Sequence, residues 1–226
     1  MPQLAIALDF TEIEDAEKFL YDLEDKNLII KVGYSLFVKY GNAITDFIKN
    51  RGFKLFLDLK LHDIPNTVYN GVKGAIYLDA DYLTIHTLGG KQMLEKAVEA
   101  KGDSDLRLLG VTVLTSLDEE YLRFLGINSN IEDLTLKLAN LAVETGIDGI
   151  VCSPQEVKYL KKNIKKNFLA ATPGVRLSLD NKDDQKRVLD VKTAVKEGSD
   201  ILVIGRPIIK SQDPNKVIKE IKEILK

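Results

Sequence analysis

The sequence is poor in the features that mark several protein classes. It holds one cysteine, Cys152, so no intrachain disulfide can form and no thiolate cluster is on hand for zinc or iron–sulfur. An excess of one charge is also missing, since 34 acidic against 32 basic residues leave a formal net charge of −2. That balance argues against a protein whose main task is gripping nucleic acid or an anionic membrane surface. No apolar run approaches the ~20 residues of a membrane-spanning helix. The chain reaches Asp9 without a basic start or a signal-type apolar stretch, and a cytoplasmic protein is expected. No Pro-, Gly- or Ser-rich linker divides the sequence, so residues 1–226 are expected to form one domain.

What remains is an ordinary globular composition, 45% hydrophobic and 29% charged, which excludes intrinsic disorder. Eight short apolar runs stand out: Leu4–Leu8, Leu28–Val32, Lys54–Leu59, Tyr82–His86, Leu106–Leu114, Gly149–Ser153, Phe168–Thr172 and Ile201–Ile204. The first five recur every roughly 24 to 28 residues, which suits strand, loop and crossover helix repeated as a unit. Between them the periodicity is helical. In Ile13–Leu23 the residues Ile13, Ala16, Phe19, Leu20 and Leu23 share one face. Leu134, Leu138, Leu141 and Ala142 repeat the pattern, as do Val217, Ile218, Ile221, Ile224 and Leu225. The segment Leu117–Leu125 is expected to add a short extra helix. Strands apolar on both faces belong to parallel sheets covered by helices. The expected fold is therefore an α/β (β/α)8 barrel, a TIM barrel, with an open doubly wound sheet as the alternative.

In such a barrel the chemistry sits at the carboxyl ends of the strands, so charges within or just after apolar runs are informative. Asp9 ends the first run, Lys31 interrupts the second, and the third continues as Asp58-Leu59-Lys60-Leu61-His62-Asp63. Residues two apart on a strand share a face, which points Asp58 and Lys60 the same way, with Lys31 one strand over. A structural ion-pair network is the plain alternative, because such networks also occur without function. Pro65 suits the first turn of a helix, making Asp63 the expected N-cap, with Thr67 four residues on. His62 beside Asp58 and Asp63 suggests a metal site, but Lys31 and Lys60 compete for the same carboxylates, and no metal is expected. Two further loops pair a glycine turn with an arginine: Gly205-Arg206-Pro207 after the eighth run and Thr172-Pro173-Gly174-Val175-Arg176 after the seventh. Backbone N–H groups at glycine together with a guanidinium fork make a phosphate site at the strand ends where barrels often hold one.

These motifs together resemble the orotidine 5′-phosphate decarboxylase family in its bacterial form. The resemblance rests on Ala7-Leu8-Asp9, Lys31-Val32-Gly33 and the long run from Asp58 to Thr67. It continues through Val111–Ser116, Thr172–Arg176, Asp184-Gln185 and Ile204–Pro207. It implies a cofactor-free, metal-free enzyme that decarboxylates orotidine 5′-phosphate to UMP in pyrimidine biosynthesis. Lys31, Asp58, Lys60 and Asp63 look like the family's charged tetrad, with Lys60 as proton donor to C6. The resemblance further implies a homodimer in which Asp63 and Thr67 reach the partner's substrate ribose. Asp9 and Lys31 would hold ribose hydroxyls, Thr115 the pyrimidine edge, and Gln185 would bridge base and phosphate. Gly205, Arg206 and Arg176 would bind phosphate, the last from a loop that closes as a lid.

Two rival readings stay in view. Sugar-phosphate enzymes resembling keto-gulonate-phosphate decarboxylase or hexulose-phosphate synthase share Asp-x-Lys-x-x-Asp on strand three. They hold magnesium partly by a Glu at the end of strand two, where this chain has Lys31. A catalytically silent nucleotide-binding barrel would tolerate loss of a tetrad member, and none is lost. His86 is expected to be a hydrogen-bonded barrel-mouth histidine and Cys152, on strand six, a small buried hydrophobe. Arg51, Arg107, Arg123 and Arg187 are expected to make surface pairs.

Overall fold

In the computed structural model, which describes residues 1–176 and 189–226, the apolar runs close into a barrel. Its strands are β1 (Gln3–Ala7), β2 (Ile29–Val32), β3 (Lys54–Leu61), β4 (Tyr82–His86), β5 (Arg107–Val111), β6 (Gly149–Val151) and β7 (Leu169–Thr172). A small parallel pair, β8 (Val175–Arg176) and β9 (Leu189–Asp190), precedes the last barrel strand, β10 (Ile201–Ile204). The barrel order is β1-β10-β7-β6-β5-β4-β3-β2, with every neighbouring pair parallel. The helices around it are α1 (Ile13–Tyr21), α2 (Tyr34–Tyr40), α3 (Asn42–Asn50), α4 (Pro65–Tyr77), α5 (Gly90–Lys101), α6 (Glu119–Phe124) and α7 (Ile131–Thr145). They continue with α8 (Val157–Asn163), α9 (Val191–Lys196), α10 (Arg206–Ile209) and α11 (Pro214–Leu225). The expected (β/α)8 barrel is what forms, and the open sheet is not. Among the described residues no helix is long and apolar enough to cross a membrane.

Alternation along each strand divides the apolar residues into two layers. Leu4, Ile6, Leu55, Leu57, Leu83 and Ile85 point outward into the larger core beneath the helices. Ala5, Ala7, Ile29, Phe56, Tyr82, Leu109, Ala171, Ile201 and Val203 fill the interior. Interior bulk is uneven. The Phe56 and Tyr82 rings pack 5.8 Å apart at 53°, whereas Ala7 and Ala171 leave space near the carboxyl ends, where a cleft opens.

Several strands end earlier than the hydrophobic runs suggest. The expected Leu106–Leu114 strand stops at Val111, and Thr112 turns to bond the Val151 carbonyl through its hydroxyl at 3.1 Å. The Gly149–Ser153 strand stops at Val151, so Cys152 lies just past β6 rather than on it. Asp9 likewise stands two residues beyond β1. The expected extra helix is present as α6, capped by Asp118, whose carboxylate accepts from the Tyr121 N–H. After β5 and β6 the apolar run continues into loops that wall the cleft, through Val113, Leu114 and Cys152, because burial does not end where ladder pairing does.

At the opposite, amino-terminal end the barrel repeats one device three times. Asp81, Asp148 and Asp200 each stand one residue before a strand and accept the N–H of the second residue of a neighbouring strand. Those donors are Leu55, Leu108 and Ala170, each at 2.8 Å. Each carboxylate also takes a lysine from a surrounding helix: Lys49 at 2.9 Å, Lys101 at 2.6 Å and Lys161 at 2.8 Å. Arg107 joins the Asp148 pair at 3.6 Å. These clamps are absent from the sequence expectations, although an Asp directly before each of three apolar runs was a visible signal.

Candidate active site

A cleft of about 370 Å³ lies at the carboxyl ends of the barrel strands. Its walls include Asp9, Lys31, Asp58, Lys60, Thr115, Ser116, Gly205 and Arg206, with apolar surface from Ala7, Phe56, Val111, Val113, Val151, Cys152 and Val203. Asp58 is the centre of the charged part. Its Oδ2 is 3.1 Å from the Lys31 Nζ and its Oδ1 accepts from the Lys60 Nζ at 2.8 Å. The three side chains are only 13%, 15% and 28% exposed for Lys31, Asp58 and Lys60. Burial by itself would push the Asp58 carboxyl up, but the Lys31 and Lys60 ammoniums outweigh it and hold the pKa below the ordinary carboxylate range. Asp58 is therefore a carboxylate near neutral pH, held between the two lysine nitrogens at the edge of a cavity.

Backbone geometry brings Lys60 there. From Leu57 to Leu61 β3 takes four steps while its neighbour β4 takes two, from Leu83 to Ile85. The surplus is a bulge, and Lys60 sits in it with φ +44°. A lysine in the left-handed region carries strain that neighbouring contacts must offset, on the order of 1–3 kcal/mol. The Leu59–Lys60 peptide is held at both ends by hydroxyls. The Lys60 N–H donates to Thr84 Oγ1 at 2.8 Å, and the Tyr34 hydroxyl donates to the Leu59 carbonyl. The Lys60 ammonium also stands 5.9 Å from the centre of the Tyr34 ring. Burial, then the Asp58 charge, raises the Tyr34 pKa and keeps the phenol protonated.

At the β10 end the backbone is close to its neighbours. A Cβ built on Gly205 would stand 2.8 Å from Asp9 Oδ2 and 3.2 Å from the Ala7 Cβ, so only glycine fits without a shift. This leaves the Gly205 backbone bare at the cleft wall beside Arg206.

The site departs from expectation in several places. Asp63 is not the N-cap of α4. Ile64 holds that position with extended dihedrals (φ −59°, ψ 152°), and Pro65 begins the helix. The Asp63 carboxylate instead accepts the Ile64 N–H at 2.6 Å. Asp63 and Thr67 are both exposed, and neither lines the cleft of its own chain. Three members of the expected tetrad converge within one chain, and the fourth does not. Among the described residues His86 has no hydrogen-bond partner, contrary to expectation. It stacks on His62 with ring centres 5.1 Å apart, and its buried Nδ1 has no partner among the described residues. Burial, then the charges of His62 and Lys60, lowers its pKa and keeps the imidazole neutral. Among the described residues Arg51 makes no ion pair: its guanidinium stacks on Tyr21, 4.5 Å from the ring centre, and donates to the Tyr21 carbonyl. Cys152 is buried, as expected, and also lines the cleft. Arg176 lies in β8, beside Asp190 of β9. Gln185, Asp184 and Arg187 lie outside the described residues. Thr84, Tyr34 and the β3 bulge escaped the sequence analysis, because threonine in Tyr82–His86 reads as an ordinary β-branched strand residue.

The fold and cleft define a barrel enzyme for a small polar substrate, with fixed charge at one end of the site and a bare glycine backbone beside an arginine at the other. Residues 2–221 match the model of the orotidine 5′-phosphate decarboxylase / HUMPS family. An orotidine 5′-phosphate decarboxylase of Aquifex aeolicus is 44% identical over 225 residues, covering 97% of this chain and 96% of that one. One from Coxiella burnetii is 41% identical over 229 residues, covering 100% of this chain and 97% of that one. Among solved structures, the orotidine 5′-phosphate decarboxylase of Lactobacillus acidophilus superposes with a TM-score of 0.87 at 38% identity, covering 99% of this chain and 98% of that one. The chain belongs to the orotidine 5′-phosphate decarboxylase family and is a carboxy-lyase.

Proposed function

We propose that the chain converts orotidine 5′-phosphate to UMP without a cofactor or metal, using Lys31, Asp58, Lys60 and Asp63 as its charged array. The observation that carries this reading is the Lys31–Asp58–Lys60 salt-bridge network at the edge of the cleft. Breaking the C6–carboxylate bond releases CO2 and leaves the electron pair in an in-plane orbital at C6 that the ring cannot delocalise. Stabilisation must then come from fixed charge already in place. The Lys60 ammonium supplies it and transfers its proton to C6, becoming a neutral amine that solvent reprotonates. Asp58 orients both ammoniums and faces the substrate carboxylate. Both ammoniums already occupy Asp58, which makes its oxygens poor ligands for a divalent cation and favours this reading over a magnesium-dependent sugar-phosphate reaction.

The remaining assignments follow the walls of the cleft. Asp9 and Lys31 hold the ribose hydroxyls and Thr115 the pyrimidine edge. Gly205 and Arg206 bind phosphate, with Arg176 and Gln185 added from the segment after β7. Phosphate is remote from C6, so its binding energy serves to orient the reacting end. Asp63 and Thr67, exposed and outside their own cleft, suit a homodimer in which each completes the partner's site. One barrel then forms the whole catalytic domain.

The loss of orotidine 5′-phosphate absorbance with purified protein, with and without chelator, tests the reaction. Turnover that persists in chelator is the expected result. No turnover, or turnover restored only by magnesium, overturns it. Mixing inactive Lys60→Ala and Asp63→Ala chains tests the shared site. Random exchange leaves about a quarter of all sites with both groups, so about a quarter of wild-type activity returns. Failure to recover activity after proven exchange removes Asp63 from the partner's site.

A further inference from the structure

We propose that Thr84 is a positioning residue for the reaction, its hydroxyl fixing both the Lys60 backbone and the Asp58 carboxylate. It rests on the reading of Lys60 as proton donor given above. Thr84 is fully buried on β4, between Leu83 and Ile85, and does not line the cleft. Its Oγ1 accepts the Lys60 N–H at 2.8 Å and donates to Asp58 Oδ1 at 3.0 Å. A single hydroxyl thus spans the two residues whose side chains form the 2.8 Å ion pair.

The bulge explains why a hydroxyl is needed there. In an unbroken ladder alternate N–H groups of β3 would pair with backbone carbonyls of β4. The two surplus residues between Leu57 and Leu61 break that register and turn the Lys60 N–H away from it. A buried N–H without a partner is costly, and the left-handed turn at Lys60 adds strain. The Thr84 hydroxyl satisfies the N–H and, with the Tyr34 hydroxyl on the Leu59 carbonyl, clamps the strained peptide at both ends. Its own proton goes to Asp58, turning the carboxylate so that Oδ1 meets Lys60 and Oδ2 meets Lys31. Valine has nearly the same shape and would suit a buried strand equally well, so packing does not account for the hydroxyl. Buried and unpaired, that hydroxyl would cost stability. Paired, it sets the direction from which the Lys60 ammonium enters the cleft.

Two substitutions separate positioning from folding. Thr84→Val keeps volume and removes the hydroxyl, and Thr84→Ser keeps the hydroxyl. In decarboxylation assays Thr84→Val lowers kcat by about 10- to 100-fold, the scale of a small misplacement of a reacting group. KM changes by less than about threefold, because the phosphate contacts remain. Thr84→Ser recovers kcat to within about threefold of wild type. In protein labelled at aspartate carboxyl carbons, the Asp58 titration followed by NMR moves upward in Thr84→Val and stays near wild type in Thr84→Ser. Where valine prevents folding, seen as a lost cooperative thermal transition, Thr84→Ala takes its place with the same expectations. A kcat for the hydroxyl-free variant within about twofold of wild type overturns the proposal. So does a serine variant as impaired as the valine one. If the wild-type protein fails to turn over orotidine 5′-phosphate, the functional reading falls by itself. The NMR arm still decides the clamp, since an unmoved Asp58 titration overturns it.

Discussion

At the amino-terminal end of the barrel, Asp81, Asp148 and Asp200 each join a lysine to a backbone N–H of a neighbouring strand. At the carboxyl end, Asp58 joins two lysines and a threonine hydroxyl beside an open cleft. The residue types are the same and the consequences differ. A lower-end carboxylate satisfies a donor left over where a strand begins, and its lysine comes from a helix packed outside the barrel, so its whole effect is on the folded state. Asp58 receives two lysine side chains that both line the cleft, holding them at its wall. Charge at one end secures the scaffold, and in the proposed reaction charge at the other serves the chemistry.

The contrast breaks most visibly in a single substitution at each end. Lys60→Ala lowers kcat for orotidine 5′-phosphate by at least about 1000-fold, within the range for loss of a general acid that also stabilises charge. Its unfolding free energy in urea stays within about 1 kcal/mol of wild type, since a partly exposed cation at a strained position is removed. A near-normal rate would end the assignment of Lys60 as proton donor. Asp148→Ala does the reverse. It strands the Leu108 N–H and the largely buried Lys101, whose side chain is 16% exposed. Urea unfolding then shows a loss of about 2–4 kcal/mol, while kcat per folded molecule stays within about twofold. A large drop in kcat with unchanged stability would erase the distinction between the two ends.

A finer test uses acid. The Asp58 pKa is lower in the folded chain than its ordinary value of 3.8. A depressed carboxylate contributes stability above the unfolded pKa and loses it as pH falls through the folded one. The stability difference between wild type and Asp58→Asn, read from urea titrations, is therefore level above about pH 5 and shrinks below about pH 3.9. A difference that grows on acidification would mean that burial, rather than Lys31 and Lys60, governs Asp58.

How much of this was legible in the sequence varies by element. The barrel was readable because eight apolar runs separated by helical periodicity leave few ways to bury both faces of every strand. Lys31, Asp58 and Lys60 were readable because charges inside apolar runs are conspicuous and strand alternation is a local rule. The N-cap role expected of Asp63 failed locally, because Ile64 before Pro65 takes the extended geometry that proline favours in its predecessor. Expecting a hydrogen-bonded His86 failed for a distant reason, the stacking of His62 from another strand end.

By itself, then, the order of residues determined the barrel, the end of it that carries charge, and the three ionic groups that meet there, since these follow from periodicity and alternation within each segment. Only the tertiary structure decided the bulge at Lys60, the hydroxyls of Thr84 and Tyr34 that hold it, and the exclusion of Asp63 and Thr67 from their own cleft. Those depend on register between strands and on where a loop points after the strand ends, and no periodicity within one segment encodes either.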